Sequence, residues 1–456
     1  MINVRYLAIA SVICFFISFL IVIAYSFAAA EPPREYTLDD AYRLALAQAE
    51  RIRIVEQDVA IADRGRDKAL SALLPRLTAF YGYTRFSDQQ TGGGFVIQPD
   101  SAQNWGGRAD YSLSLGGKEF FALKSASLAA DRSKFTYDAF REAYLLGTAA
   151  AYYDVLQAKR QTEIARASIE RLTKYRDAAK TRLRIGEVTK TAVLRAEAEL
   201  SGAQSDLIRL DNLEKYAKAF LARTISIEGD FTVQDAADID EESAGRIVLG
   251  CAPLTLQCAA ERAYVERAEV KAAELLIGSA QSQVSAARAA FFPSLGLSGV
   301  YSRSNQSPSS ILAVKESIYG ALTLTFPLFE GGLRVAEARE ASSKLRQAEL
   351  TFSDTKRDIA LDVEQSYLQL MTARGVLHSL ADQVSFARDN YTAVSRQFDY
   401  GLATSLDVLD ANNLLVSAER QYATAKYAYH ISLLRMQRSA GLFLKSIPAS
   451  ASGKVE

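Results

Sequence analysis

From Leu370 onward apolar residues return at alternating steps of three and four: Leu370, Ala373, Leu377, Leu380, Val384, Ala387, Tyr391, Val394 and Phe398. Four heptads in register predict a coiled-coil seam. All nine prolines fall outside the windows 116–231 and 328–447, which are rich in Ala, Leu, Arg, Glu and Gln, the composition of uninterrupted helix. The pattern predicts long helices over 117–184 and 332–398, each followed by a shorter one over 190–222 and 404–438. At 1.5 Å per residue the helix over 332–398 spans roughly 100 Å, a rod that no compact domain needs. The small residues Ala336, Ala338, Ala341 and Ala348 let neighbouring helices approach closely.

Between the helical runs the period changes to two. Leu77, Ala79, Tyr81 and Tyr83 alternate with Thr78, Gly82 and Thr84, Phe80 alone breaking the polar set. Trp105, Ala109, Tyr111, Leu113 and Leu115 alternate with Arg108, Asp110, Ser112 and Ser114. Farther along, Leu295 and Leu297 oppose Ser294, Gly296 and Ser298, and Leu322, Leu324 and Phe326 oppose Thr323 and Thr325. These runs predict strands over 77–86, 105–115, 294–303 and 318–328. About ten residues, apolar on one face, small or polar on the other and aromatic near the ends, suit a transmembrane β-barrel; a soluble amphipathic sheet is the alternative.

The chain is written twice. Ala69 to Arg85, ALSALLPRLTAFYGYTR, lies over Ala287 to Arg303, ARAAFFPSLGLSGVYSR, with Pro75 on Pro293 and Tyr83 on Tyr301. Gly116-Gly117 falls on Gly331-Gly332, Tyr152 on Tyr367, and Gly186 on Gly401. Self-similarity of this length marks a duplicated unit. The first repeat occupies 37–224 and the second 255–441, with a linker over 225–254 and a tail over 442–456. The first repeat is the more divergent, with Ser112 where the second has Pro327.

Residues 1–30 carry a basic start at Arg5, an apolar stretch from Leu7 to Phe27 and Ala28-Ala29-Ala30. This layout is that of a secretory signal peptide, an uncleaved anchor being the alternative. No later stretch approaches the length of a membrane helix, so entry into a bilayer must be by strands. Four strands cannot close a barrel whose smallest single-chain forms need about eight, so closure requires self-association.

Charge is balanced, with 53 basic and 53 acidic side chains, which gives no bulk attraction to nucleic acid. Cys251 and Cys258, with Pro253 between them, suit either a structural disulfide in an exported compartment or two thiols. The two histidines, His378 and His430, lie in helical runs, and no phosphate loop, nucleophile motif, cofactor motif or metal set is present, so no enzymatic activity is expected. A periplasmic adaptor also carries a long helical hairpin, but one rather than two, and without paired strands; a purely structural coiled coil leaves the strands unexplained.

The duplication, the motif FPLFEGG (Phe326 to Gly332) and the stretch YGLATSLDVLDA (Tyr400 to Ala411) resemble the TolC family of outer-membrane channel-tunnels over almost the whole mature chain. The resemblance implies a membrane α+β fold. Three copies would form a twelve-stranded barrel, four strands per chain, continued by an α-helical periplasmic tunnel, with a small mixed domain at the waist built from about 229–260 and the C-terminal residues. It implies a passive channel for efflux or type I secretion in a Gram-negative outer membrane, in contact with outer-membrane lipid. An adaptor and an inner-membrane efflux pump or ABC exporter would meet its periplasmic tip. Asp407 and Asp410 match the aspartates that narrow the family's tunnel, and residues three apart share a helical face. The paired glycines Gly186 and Gly401 suit the tip turns. Polar ties that hold relatives shut fall here on Thr191, Ala192, Phe398 and Ala403, of which only Thr191 is polar. Lys190 and Arg195 are therefore expected to replace those ties by pairing with Asp407 or Asp410.

Overall fold

The structure is a computed structural model that describes residues 34–235, 255–309 and 314–447; the signal segment and Cys251 lie outside these residues. Each half opens with two short helices, α1 (Leu38–Gln48) and α2 (Glu50–Ser71) in the first. Four strands follow, β2 (Arg76–Arg85), β3 (Gln90–Gly92), β4 (Phe95–Gln98) and β5 (Ser101–Ser114). Then come α3 (Lys118–Arg184) and α4 (Lys190–Ile225). The second half runs α5 (Leu256–Glu266), α6 (Ala268–Ala289), β7 (Ser294–Ser307), β8 (Glu316–Thr325), α7 (Leu333–Asp399) and α8 (Ser405–Ser439). The long helices α3 and α7 each have 67 residues, about 100 Å.

The membrane-type sheet has the order β2-β5-β7-β8 and is antiparallel throughout. Its central joint, β5 against β7, pairs fourteen residues across the duplication, from Ser101↔Ser307 to Ser114↔Ser294. The register brings Leu77, Ala109, Gly299 and Gly320 onto one face with Tyr81, Trp105, Leu297, Leu322 and Leu324. The opposite face carries Thr78, Arg108, Asp110, Ser298 and Thr323. In one chain the apolar face is bare: Leu77 is 80% exposed, Ile318 76% and Leu322 70%. Soluble monomers rarely present so large an apolar patch. β2 and β8 are both unpaired edges.

Several boundaries differ from those expected. β5 starts at Ser101 and β7 continues to Ser307 because backbone pairing outlasts the apolar alternation. β8 ends at Thr325, since Pro327 cannot donate to a ladder, whereas Ser112 lets β5 run on to Ser114. Between β2 and β5 the glycine-rich stretch 92–94 closes a two-stranded hairpin, β3–β4.

The helices pack as two hairpins, α3 with α4 and α7 with α8, and α2 and α6 extend the bundle toward the sheet. α3 and α6 meet through small residues, Ser125 Oγ lying 2.9 Å from Ser279 Oγ. The heptad seam is turned inward: Leu370, Ala387 and Phe398 are buried, with Ala373, Leu377, Val384, Tyr391 and Val394 packed beside them. Among the described residues no helix is long and apolar enough to cross a membrane.

The waist contains a parallel pair, β1 (Arg34–Tyr36) with β6 (Phe231–Val233), of which β6 lies inside the stretch expected as linker and β1 precedes the first repeat. Tyr152 is 1% exposed, and its hydroxyl reaches the carbonyls of Tyr36 at 3.0 Å and Gln234 at 2.6 Å, tying both strands to α3. Burying such a ring contributes roughly 1.5–3 kcal/mol. The expected C-terminal tail begins with α9 (Phe443–Ser446), and Phe443 packs edge-on against Tyr42. Cys258, in the first turn of α5, is disulfide-bonded.

A Cβ at Gly106 would collide with the Tyr301 carbonyl oxygen and stand 2.9 Å from the Phe80 ring and from Ser302 Cα. Gly106→Val is expected to break the β5–β7 joint, and heat-modifiable gel mobility should show loss of the folded barrel form, whereas Gly107→Val, with open space at its Cβ, should retain it.

Candidate functional site

The two helical hairpins end side by side. After α3 the chain turns at Gly186 (φ 80°), and after α7 at Gly401 (φ 75°), left-handed values that glycine adopts without steric cost. The hydrogen bonds are the same in both turns. Gly186 N–H donates to Leu183 O (3.1 Å) and Glu187 N–H to Arg182 O (2.9 Å); Gly401 N–H donates to Phe398 O (3.0 Å) and Leu402 N–H to Gln397 O (2.8 Å). Each is a Schellman closure, which satisfies carbonyls that the helix end would otherwise leave unpaired. Three large apolar side chains project beside these turns, Ile185 67%, Tyr400 83% and Leu402 78% exposed. They have no heptad phase, so periodicity did not single them out.

α8 begins with a capping box. The Asp407 carboxylate accepts from Thr404 N–H and from Thr404 Oγ1–H, both at 2.7 Å, while Asp407 N–H donates to Thr404 Oγ1 at 3.4 Å. The hydroxyl and then the amide of Thr404 hold the Asp407 carboxyl below the usual carboxylate range. Asp410, one turn on, is exposed. Val408, Leu409, Ala411 and Asn412 point the other way, into the seam, so the two carboxylates lie together on the face turned from the chain's own core. The first hairpin lacks this cap, since Thr189 makes no side-chain bond to the start of α4.

Lys190 and Arg195 do not pair with Asp407 or Asp410 within the chain. Both are exposed, and Asp407 is drawn back onto Thr404 instead. Arg195 and Thr191 line a cleft of about 670 Å³ between the two tips, together with Phe398, Gly401, Ala403 and Thr404. Phe398, expected at the gate or adaptor contact, is 4% exposed and packs with Leu172, Tyr175, Val408 and Leu409.

The cross-hairpin tie comes from Arg182, which the sequence did not single out. Its Nη1 donates to Phe398 O at 2.6 Å and its Nη2 to Asp399 O at 3.2 Å, with Asp399 Oδ1 at 3.6 Å. Its guanidinium lies 4.1 Å from the Phe398 ring centroid. Tyr175 adds a hydroxyl donation to Ser405 O at 3.1 Å and a ring contact with Phe398 at 5.3 Å. Farther up, Arg171 Nε donates to Asn412 Oδ1 at 2.9 Å, and Asn412 Nδ2 donates to Ser168 Oγ at 3.3 Å. The apolar substitution at Phe398 thus creates the platform on which an arginine from the other hairpin lies. Among the described residues no group of side chains is placed to hold a metal ion.

Arg182→Ala removes charged donors worth about 1.5–3 kcal/mol each from the last-turn carbonyls of α7. Hydrogen exchange of amides around 398–405 is expected to accelerate about tenfold or more, while amides of the β5–β7 ladder keep their wild-type rates; unchanged exchange at the tip would contradict the tie.

A family model described as outer membrane efflux protein matches residues 41–225 and 259–442, one segment in each half. The chain is 25% identical over 378 residues to outer membrane protein TolC of Vibrio cholerae, covering 81% of this chain and 83% of that protein. It is 24% identical over 410 residues to the alkaline protease secretion protein AprF of Pseudomonas aeruginosa, covering 88% and 84%. Its fold matches the Campylobacter jejuni CmeC outer membrane channel with a TM-score of 0.77 at 16% identity, covering 89% and 86%. With two matched repeats spanning most of its length and the same duplicated channel-tunnel fold, the chain belongs to the outer membrane efflux protein family.

Proposed function

We propose that the chain is the outer-membrane channel-tunnel of an efflux or type I secretion system, a passive conduit from the periplasm to the cell exterior. One observation carries the reading. The sheet has a bare apolar face and two unpaired edge strands, while 100 Å helices continue from one end of its strands. An open edge is untenable in a bilayer, where every backbone donor and acceptor must be satisfied internally. Three copies placing β8 of one beside β2 of the next make a twelve-stranded closed barrel, with the helices of all three forming the tunnel wall. The reading makes the protein a conduit for transport rather than an enzyme. The named functions of relatives, alkaline protease secretion for AprF and cation efflux for CusC of Escherichia coli, support both branches of the transport class.

The tip is the gate. Trimer symmetry turns Asp407 and Asp410 into two stacked rings of carboxylate, which favour cations and narrow the pore. Arg182 holds the two hairpins of each chain together in the closed form, and opening requires that this tie break. The exposed Ile185, Tyr400 and Leu402 give a periplasmic adaptor an apolar foothold around the turns, and the inner-membrane pump or exporter behind it supplies the energy.

Asn at both acidic positions keeps an acceptor for the Thr404 cap and removes only the charge. In planar bilayers Asp407→Asn/Asp410→Asn is expected to lose cation selectivity, with single-channel conductance changed and the folded form intact. Arg182→Ala is expected to raise conductance severalfold with selectivity retained. Unchanged selectivity in the double variant would remove the carboxylates from the pore.

A further inference from the structure

At the waist the α5–α6 joint is built around Arg267, which is 5% exposed. Its Nη2 and Nε donate to the Glu269 carboxylate at 2.9 and 3.3 Å, and its Nη1 donates to Asp362 on α7 at 2.5 Å. Arg438 of α8 approaches the same Glu269 at 3.7 Å. Into this cluster α3 directs Glu142, a carboxyl only 5% exposed.

Arg267 has its fork filled by Glu269 and Asp362, whereas Arg438 comes no nearer to Glu269 than 3.7 Å, and its buried Nε has no hydrogen-bond partner. Three carboxyl groups therefore face two fixed positive charges, and Glu142 is the one left without an ion pair. A buried carboxyl without a paired positive charge is disfavoured in its ionised form, so such a group keeps its proton to higher pH.

The remaining neighbours do not change this balance. On α3, Asp138 one turn away is engaged by Arg141 at 3.5 Å. From α6, Lys271 lies over the Phe135 ring at 5.9 Å. From α9 the Leu444 N–H bonds to Glu142. Glu266 is paired at 2.7 Å with Lys445, the next residue along α9.

We propose that Glu142 is a proton-binding site that locks the waist: its neutral form lets α3, the α5–α6 joint and α9 pack together, and its ionisation loosens them. Burial, and then the charge of Glu269, push the Glu142 carboxyl up to about 7 against the pull of Arg438, Arg267 and Leu444 N–H. The folded chain thus binds this proton more tightly than the unfolded chain. Stability is fully present below the ordinary carboxyl range and is lost as pH rises through about 7. The waist is firmer at mildly acidic pH than at mildly alkaline pH, independently of what the tip does.

The test is thermal unfolding of the purified full-length protein across about pH 5 to 8, with infrared detection of protonated carboxyl. The wild type should lose thermal stability as pH rises from the ordinary carboxyl range, the loss levelling off near the pH, about 7, at which a protonated-carboxyl band of the folded protein titrates. Glu142→Gln should lose both the slope and the band. Glu269→Gln, which removes the like charge, should move the midpoint down by about one pH unit. A Glu142→Gln protein with the wild-type slope and band overturns the proposal. If that variant does not fold, an unmoved midpoint in Glu269→Gln overturns it equally.

Discussion

A backbone amide in lipid has no water to bond, and this chain carries a sheet whose first and last strands each leave one edge unpaired. Much else follows from that constraint. The pairing of β5 with β7 uses the duplication to double the sheet, yet the result is still open, and in the proposed channel further copies close it. The apolar face, unsuited to water on a monomer, becomes the lipid face of the barrel. The polar face becomes its lining. The long helices inherit the same requirement, since hairpins that emerge from a closed ring must themselves form a ring.

At the tip a different set of contacts holds the two hairpins together. The turns are closed by the same pair of Schellman bonds in both hairpins. The contact between them rests on Arg182, Tyr175 and the Phe398 ring. Such a contact is strong while buried and weakens once water enters. Asp407 serves two ends, because the bond that caps α8 also fixes its charge on the exposed face.

Much of this was legible in the chain. Proline-free windows and a four-heptad seam leave little choice but long paired helices, and period-two runs with aromatic ends locate the strands. The ends of β5 and β7 were not legible, because past Trp105 and Arg303 the side chains turn polar while the backbone ladder continues. The β1–β6 pair was hidden for another reason: three residues on each side are too few to show a period, and the partners are far apart in sequence. Arg182 escaped because an arginine in a last helical turn reads as a response to the helix dipole, and its partners are carbonyl groups, which no side-chain motif announces. Lys190 and Arg195 were expected to pair across the tip from charge and proximity alone, and the Thr404 cap removes Asp407 from that competition.

In the proposed channel one chain supplies a third of a closed barrel. Native mass spectrometry of the protein released from outer membranes, followed by electron cryomicroscopy of the same particles, measures this. Three copies are expected, with β8 of each hydrogen-bonded to β2 of the next. A stable monomer with both edges free, or a ring of another number, would contradict the proposal.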